Sequence, residues 1–286
     1  MLNPNDCTQT FVLPCNLYTY ATIRVTNNGF FNIITSKSDR MYQCSTDSLL
    51  NFDCDAQIKN IFKAIAFLKG NISGAQILIS YTVDDNTFHN PTVAVCTALS
   101  IIDSQKVPQS SQLKPFICEK YDNTSSLFAQ LHARQNTIIS GTKTDDNIAL
   151  PFDLSNHKIL LCKIKSENYE QKSDTELTNK IFENISHTET PNSELYNILE
   201  QLYFQDGKKL KKDIKRLYKL FTLTKETGLC ALNTIDFRNG TFTCIVKNNN
   251  TDNFINIFSE VYNQIEGDIP KLYICDSCDS AIEVFE

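Results

Sequence analysis

The sequence predicts an α+β fold in two lobes, and three observations predict it. Strand-like and helix-like stretches are mixed along the chain without the regular βα alternation of a parallel sheet. A length of 286 residues suits one large domain or two intimate ones. A polar, charged stretch from about 166 to 192 interrupts the patterned sequence, so a lobe of residues 1–165 is expected before a smaller lobe of residues 166–286.

The elements follow in order. "TFVLP", "LYTYATIRV" and "GFFNIITS" are rich in β-branched and aromatic residues, and "NNG" at 27–29 is a turn signal between two of them. Ile58, Ile61, Phe62, Ile65 and Leu68 recur at helical spacing, with Asp55 to cap the start and Gly70 to close the end. "AQILISY" at 75–81 reads as a buried strand and leads into a second helix that starts at Asn90 and Pro91. A polar loop is expected over 103–114, a helix over about 124–135, and strands at "NIALPF" and "HKILLCKI". Beyond the polar stretch come helical patterns at about 193–204 and 208–222 and a strand pair at about 229–247. An amphipathic helix then carries Phe254, Ile257, Phe258, Val261 and Ile265 on one face, with Asp252 as N-cap and Gly267 as terminator. "KLYICD" closes the set as a strand.

Composition narrows the function. Hydrophobic content of 41% and charged content of 21% are those of a folded globular protein. A net charge of −6 argues against general affinity for nucleic acid or an anionic membrane. No run approaches the ~20 apolar residues of a membrane helix. "MLNPNDCTQT" has neither a charged nor an apolar leader region, so a cytoplasmic protein is expected. The eleven cysteines are scattered and several sit in apolar segments, which suits reduced core thiols. The one CxxC, Cys275–Cys278, lacks a second pair at zinc spacing, which argues against metal or redox chemistry there. His89, His132, His157 and His187 form no metal-ligand motif, and no G-x-S-x-G is present.

Two segments stand out as candidate sites. "TVDDNTFHNPTVAVCTAL" approaches a helix start, where unbonded N–H groups and the helix dipole favour an anion. Phosphate-binding versions reach such a start through glycines. Here the approach is Asp84, Asp85, Asn86 and Thr87, followed by Phe88, His89 and Asn90. His89 has two readings, a ligand contact or a capping or surface role. In "DGKKLKKDIKRLYKLF", Leu210, Ile214, Leu217, Tyr218 and Phe221 form one helical face. Lys208, Lys209, Lys211, Lys212, Lys215, Arg216 and Lys219 cover much of the rest. That is either a solvated face or a docking surface for nucleic acid or an acidic protein. Further basic stripes or aromatic platforms are missing, which disfavours nucleic acid.

Taken in this order, the segments resemble the galactokinase branch of the GHMP small-molecule kinases. "TFVLPCNLYTYATIRV" is similar to the strand after that branch's sugar motif, GEHTDYNGGFVLP. "QIKNIFKAIAFLKGNISGAQILIS" resembles the helix and strand leading to the phosphate loop, P-x-G-A-G-L-S-S-S-A-A. "HARQNTIISGTKTDDNIAL" resembles the segment MDQ-a-s-l-x-G-k, whose aspartate acts in catalysis. "CALNTIDFRNGTFTCIV", the helix after it and "PKLYICDSCDSAIEVF" resemble the final motif and tail. The resemblance implies an N-terminal lobe like ribosomal protein S5 domain 2 and a ferredoxin-like C-terminal lobe.

It also implies where the motifs differ. Asp6 stands at the family's sugar-contacting aspartate, with Asn3 and Pro4 at the glutamate and histidine positions. The phosphate loop is "VDDNTFHNP", without its glycines or its serines. Gln135 is kept, but Arg134 takes the catalytic aspartate's position. In the third motif Asn239 and Gly240 match the family's glycine pair, while Asp236, Phe237 and Arg238 occupy positions that should be small.

Such kinases work by positioning a nucleoside triphosphate and neutralising charge that builds up in transfer. Asp84 and Asp85 oppose that, since like charges a few ångströms apart cost about 1–4 kcal/mol. The same carboxylates at a helix start contribute roughly 0.3–1 kcal/mol by satisfying it themselves. A guanidinium at position 134 has no acceptor and cannot serve as a base; it pairs with a nearby acid or contacts a ligand. The expectation is therefore a kinase-like protein without kinase activity that binds a small polar ligand, a sugar near Asp6, or a protein. No cofactor is expected; ATP and magnesium belong to the rival expectation of a divergent active sugar kinase. The third expectation is an adaptor acting through the 208–219 basic residues.

Overall fold

The computed structural model describes residues 10–83, 90–116, 124–141, 147–163, 222, 230–236 and 241–280. The helical patterns expected at 193–204 and 208–222, all the basic residues from Lys208 to Lys219 included, lie outside them, apart from residue 222.

Eleven strands and five helices are described: β1 (Thr10–Val12), β2 (Thr19–Thr26), β3 (Phe30–Thr35), β4 (Ser38–Ser45), α1 (Ala56–Leu68), β5 (Gly74–Tyr81), α2 (Pro91–Ser104), α3 (Ser110–Leu113), α4 (Thr124–His132), β6 (Thr137–Gly141), β7 (Asn147–Pro151), β8 (His157–Lys163), β9 (Cys230–Asp236), β10 (Thr241–Lys247), α5 (Thr251–Glu266) and β11 (Lys271–Cys275). They form three sheets, ordered β1-β6-β7, β2-β5-β3-β4 and β11-β8-β10-β9. Grouped by their contacts, the described residues form two units. One takes residues 10–16, 135–141, 149–163, 222, 230–236 and 241–278, and the other takes 17–83, 90–116, 124–134, 147–148 and 279–280.

In the second of these units the "NNG" turn does not make a hairpin. β5 is inserted between β2 and β3, antiparallel to the first and parallel to the second. Gly29, at φ +74°, turns the chain, and the Asn28 side chain accepts from the Phe30 amide at 3.1 Å and the Thr26 hydroxyl at 2.9 Å. β5 starts beneath this turn at Gly74. A Cβ there would lie 2.7 Å from the Phe30 carbonyl oxygen and 2.8 Å from Asn28 Oδ1, so the insertion needs a glycine. One sheet face buries Phe31, Ile33, Ala75, Ile77 and Ile79 against Ile58, Ile61, Phe62 and Ile65 of α1 and against Val95 and Leu99 of α2. The other face leaves Leu78, Ile34 and Met41 exposed in adjacent positions of neighbouring strands.

α1 behaves as its sequence predicts. Asp55 accepts from the Ile58 amide at 3.0 Å, and Gly70 follows at φ +54°. Asp103, near the end of α2, accepts from the Asn71 amide at 3.0 Å, tying the two helix ends together. α2 ends on Gln105 in the left-handed conformation, without a glycine. Two strands do not announce themselves in sequence. β4 is an edge strand whose buried side chains are only Tyr42 and Cys44; β6 follows α4 directly, at the end of a segment that reads as helix. The polar loop over 103–114 contains the end of α2 and the short α3.

The remaining unit is built on the four-stranded sheet β11-β8-β10-β9. Numbered from β8, this is the 4-1-3-2 order of a ferredoxin-like lobe. α5 lays Phe254, Phe258 and Tyr262 across it, onto Leu160, Cys162, Phe242, Cys244 and Val246. The three rings repeat every fourth residue and meet at centroid distances of 5.6 and 6.2 Å. The helix begins two residues earlier than expected. Asp252 lies inside the first turn, and Asn250 is the N-cap residue, without a side-chain capping bond. The Thr251 hydroxyl instead donates to the Lys247 carbonyl. Gly267 closes the helix at φ +69°, as its sequence predicts.

Candidate functional site

Of the residues singled out in the sequence, Asn90, Arg134 and Gln135 fall in described segments. Asn3, Asp6, Asp84, Asp85, Asn86, Thr87, His89, Asn239 and Gly240 lie outside them. The structure brings none of the described three into one constellation; they belong to two separate stretches.

The first stretch is the start of α2. The Asn90 side chain accepts from the Val93 amide at 3.4 Å, and the Ala94 amide reaches the Asn90 carbonyl at 3.3 Å. Pro91 occupies the first helical position, where it has no N–H to offer. Of the amides that a helix start leaves over, one does not exist and another is taken by the cap. Those of Asn90 and Thr92 remain. Pro91, Thr92 and Val93 are all buried. A phosphate cradle needs several convergent amides with access to the ligand. This start has two fewer amides to offer, one absent at Pro91 and one taken at Val93.

The second stretch joins α4 to β6. The helix is extended by the Ala133 amide, which donates to the Ala129 carbonyl at 3.0 Å. Arg134 and Gln135 follow, both exposed. Asn136 then turns the chain at φ +58°, a conformation that asparagine tolerates better than most residues. Its amide donates to Ser277 Oγ at 2.8 Å, its carbonyl accepts from the Phe152 amide at 2.8 Å, and its side chain accepts from the Leu154 amide at 3.0 Å. An arginine just past a helix C-terminus is favoured by the negative end of the dipole, which gives Arg134 a structural reason to be cationic.

Sequence reasoning missed what surrounds this turn. Several hydrogen bonds there join residues far apart in the chain. Cys15 pairs with Ser277 in an isolated antiparallel bridge. The Asn16 amide donates to the Asp276 carbonyl at 3.1 Å, and the Asp276 amide returns to Asn16 Oδ1 at 2.9 Å. Ser277 holds Asn136, and the Ser280 amide donates to the Ala133 carbonyl at 2.8 Å. Lys158 and Asp276 add a partly exposed ion pair, worth little by itself. No local pattern marks this knot, because its members are up to 260 residues apart. The one usable hint is the density of small polar residues in "CDSCDS".

Metal ligation finds no support here: among the described residues no group of three or more His, Cys, Asp or Glu side chains could hold an ion.

No family model and no curated protein matches the chain. Solved structures do. A Lactococcus lactis galactokinase, complexed with galactose, matches with a TM-score of 0.64 at 10% identity, over 98% of this chain and 90% of that one. A D-glycero-D-manno-heptose 1-phosphate kinase from Bacteroides thetaiotaomicron matches at 0.60 and 14% identity, over 98% and 92%. A Methanococcus jannaschii mevalonate kinase matches at 0.56 and 12% identity, over 95% and 92%. The chain has the GHMP-kinase fold. The matches cover nearly the whole of both chains.

Proposed function

We propose that this protein is a galactokinase-like pseudokinase: a GHMP-kinase scaffold that binds a small polar ligand or a protein and does not transfer phosphate. The observation that carries the reading is the start of α2, where Asn90 and Pro91 leave little backbone N–H capacity for a triphosphate. The acidic, glycine-free approach from Asp84 to Asn90 agrees with it, as does the loss of a proton acceptor at Arg134. The exposed row Leu78, Ile34 and Met41 supports a protein-binding role, because apolar side chains in neighbouring register give a partner a continuous contact.

The test is a thermal-shift panel of ATP, ADP, galactose and sugar phosphates, with and without magnesium. A nucleotide bound at about 100 times its dissociation constant would add roughly 2.7 kcal/mol. The expected result is no shift from any nucleotide and no phosphate transfer to any sugar. A magnesium-dependent nucleotide shift would instead favour the second reading, a divergent ATP-dependent sugar kinase, whose support is the fold match to a galactokinase holding galactose.

A further inference from the structure

We propose that the open face of the β2-β5-β3-β4 sheet seats a second copy of this chain, packed sheet on sheet about a two-fold axis that runs along the strands. This names a partner for the protein-binding face of the reading above, but it stands on the sheet alone and holds whether or not the chain transfers phosphate.

Alternation along the strands fixes what the face carries. Phe31 and Ile33 of β3, Ala75 and Ile77 of β5, and Tyr42 and Cys44 of β4 point into the core, so the residues between and beside them point the other way. Two rows cross the open face in register. Thr22, Leu78, Ile34 and Met41 make one row, and all four are exposed. Arg24, Gln76, Asn32 and Gln43 make the other. Asn32 lies inside this second row and is only 8% exposed, yet its side-chain oxygen accepts no hydrogen bond. A buried amide oxygen without a donor is costly. On either side of it are Gln76 and Gln43, both exposed and long enough to swing aside for a donor from outside the sheet.

The pattern matches itself. The sheet has four strands, so an axis between β5 and β3 sets β5 over β3 of the second copy and β2 over its β4. Each row keeps its level along the strands. Leu78 then lies over the second copy's Ile34, and Thr22 over its Met41. Gln76 lies over the second copy's Asn32, where its amide N–H supplies the missing donor. Arg24 meets the Gln43 carbonyl of the second copy and not the other Arg24. Primary amides both donate and accept, so a row of them can satisfy its own copy. Charge separates the occupants. The chain carries a net charge of −6, and Arg24 is the one charge in the two rows, so copies that repel elsewhere can meet here. The same neutrality gives a charged peptide or a nucleic acid little to hold. Strands about 4.8 Å apart, rising about 3.3 Å per residue, give the face a flat area of about 500 Å². Two such faces reach the roughly 1,000 Å² that a specific interface must clear, before side-chain relief is counted. Aligned sheets pack in this way about 10 Å apart.

Sedimentation equilibrium of the full chain over about 1–100 μM tests this. The mass is expected to rise toward twice 32.5 kDa, and added salt to tighten the association by screening the net charge. Leu78→Glu and Ile34→Lys, each alone, should weaken it at least about tenfold, because each sets a charge against an apolar side chain. Mixed together, the two variants should pair again, since the axis sets position 78 of one copy over position 34 of the other. Circular dichroism checks that they fold; should Leu78→Glu not fold, Met41→Asp on the edge strand carries the same expectation. A mass that stays at 32.5 kDa overturns the proposal, whether another protein or solvent covers the face. A dimer that Leu78→Glu and Met41→Asp leave intact, or that salt dissociates, overturns it too. A dimer that obeys these variants and transfers phosphate would sink the pseudokinase reading and uphold this one.

Discussion

Asn136 shows how much one residue can decide. It holds a left-handed backbone and three hydrogen bonds, to Ser277, Phe152 and Leu154. Asn136→Ala should cost about 1–3 kcal/mol, from φ strain together with a lost acceptor for the Leu154 amide. Asn136→Gly should cost less than alanine, because it removes the strain and loses only the acceptor. Urea denaturation of both variants checks the order. His157 makes a second case. Burial, and then the nearby Lys247, hold its pKa below the ordinary histidine value, with Asp153 opposing. The unfolded chain therefore binds the proton more readily than the folded one. Above the unfolded pKa of about 6.5 the group contributes nothing, and as pH falls through the window below it, stability is lost. His157→Gln should flatten that part of a melting-temperature profile below about pH 6.5; an unchanged slope would assign the acid sensitivity to other groups. Neither role is legible in sequence, since Asn136 reads as the tail of a helix and His157 as one of four scattered histidines.

The elements themselves are more legible, because caps and faces are local. Asp55, Asn90, Gly70 and Gly267 all end helices where the sequence puts them. The two side-chain caps are unequal: Asp55 accepts at 3.0 Å and Asn90 at 3.4 Å. Asp55→Ala should cost about 1–2 kcal/mol and Asn90→Ala about 0.5–1 kcal/mol, measured by denaturation. α5 is held chiefly by its aromatic face, so Phe258→Ala, which leaves a hole between Phe242, Phe254 and Tyr262, should cost about 3–5 kcal/mol. What local pattern cannot find is an element whose reason is its neighbour. β4 exists because β3 offers it a ladder from Phe30 to Thr35, and β6 because it pairs with β1. Asp252 is the opposite case: a good capping residue that the chain does not use as a cap, because the Thr251 hydroxyl turns back to Lys247 and the helix begins two residues sooner.

At the scale of the whole molecule, hydrogen bonds join residues far apart in the chain, among them Asn16 with Asp276 and Asn136 with Ser277. Ser277→Ala would leave the Asn136 amide without its acceptor and should lower global stability by about 1–3 kcal/mol. An unfolding midpoint that shifts with an unchanged denaturant slope would mark a loss of stability without a change of fold. By itself the sequence determined that the chain mixes α and β, where most helices begin and end, and that the approach to α2 is acidic and without glycine. These are matters of composition, periodicity and capping, which act over a few residues. The tertiary structure alone decided that β5 slides between β2 and β3, that β8 joins the sheet of β9, β10 and β11, and that Cys15 pairs with Ser277. Those outcomes depend on hydrogen-bond ladders between strands far apart in the chain, where each strand's pattern says which face is buried but not which neighbour it will find.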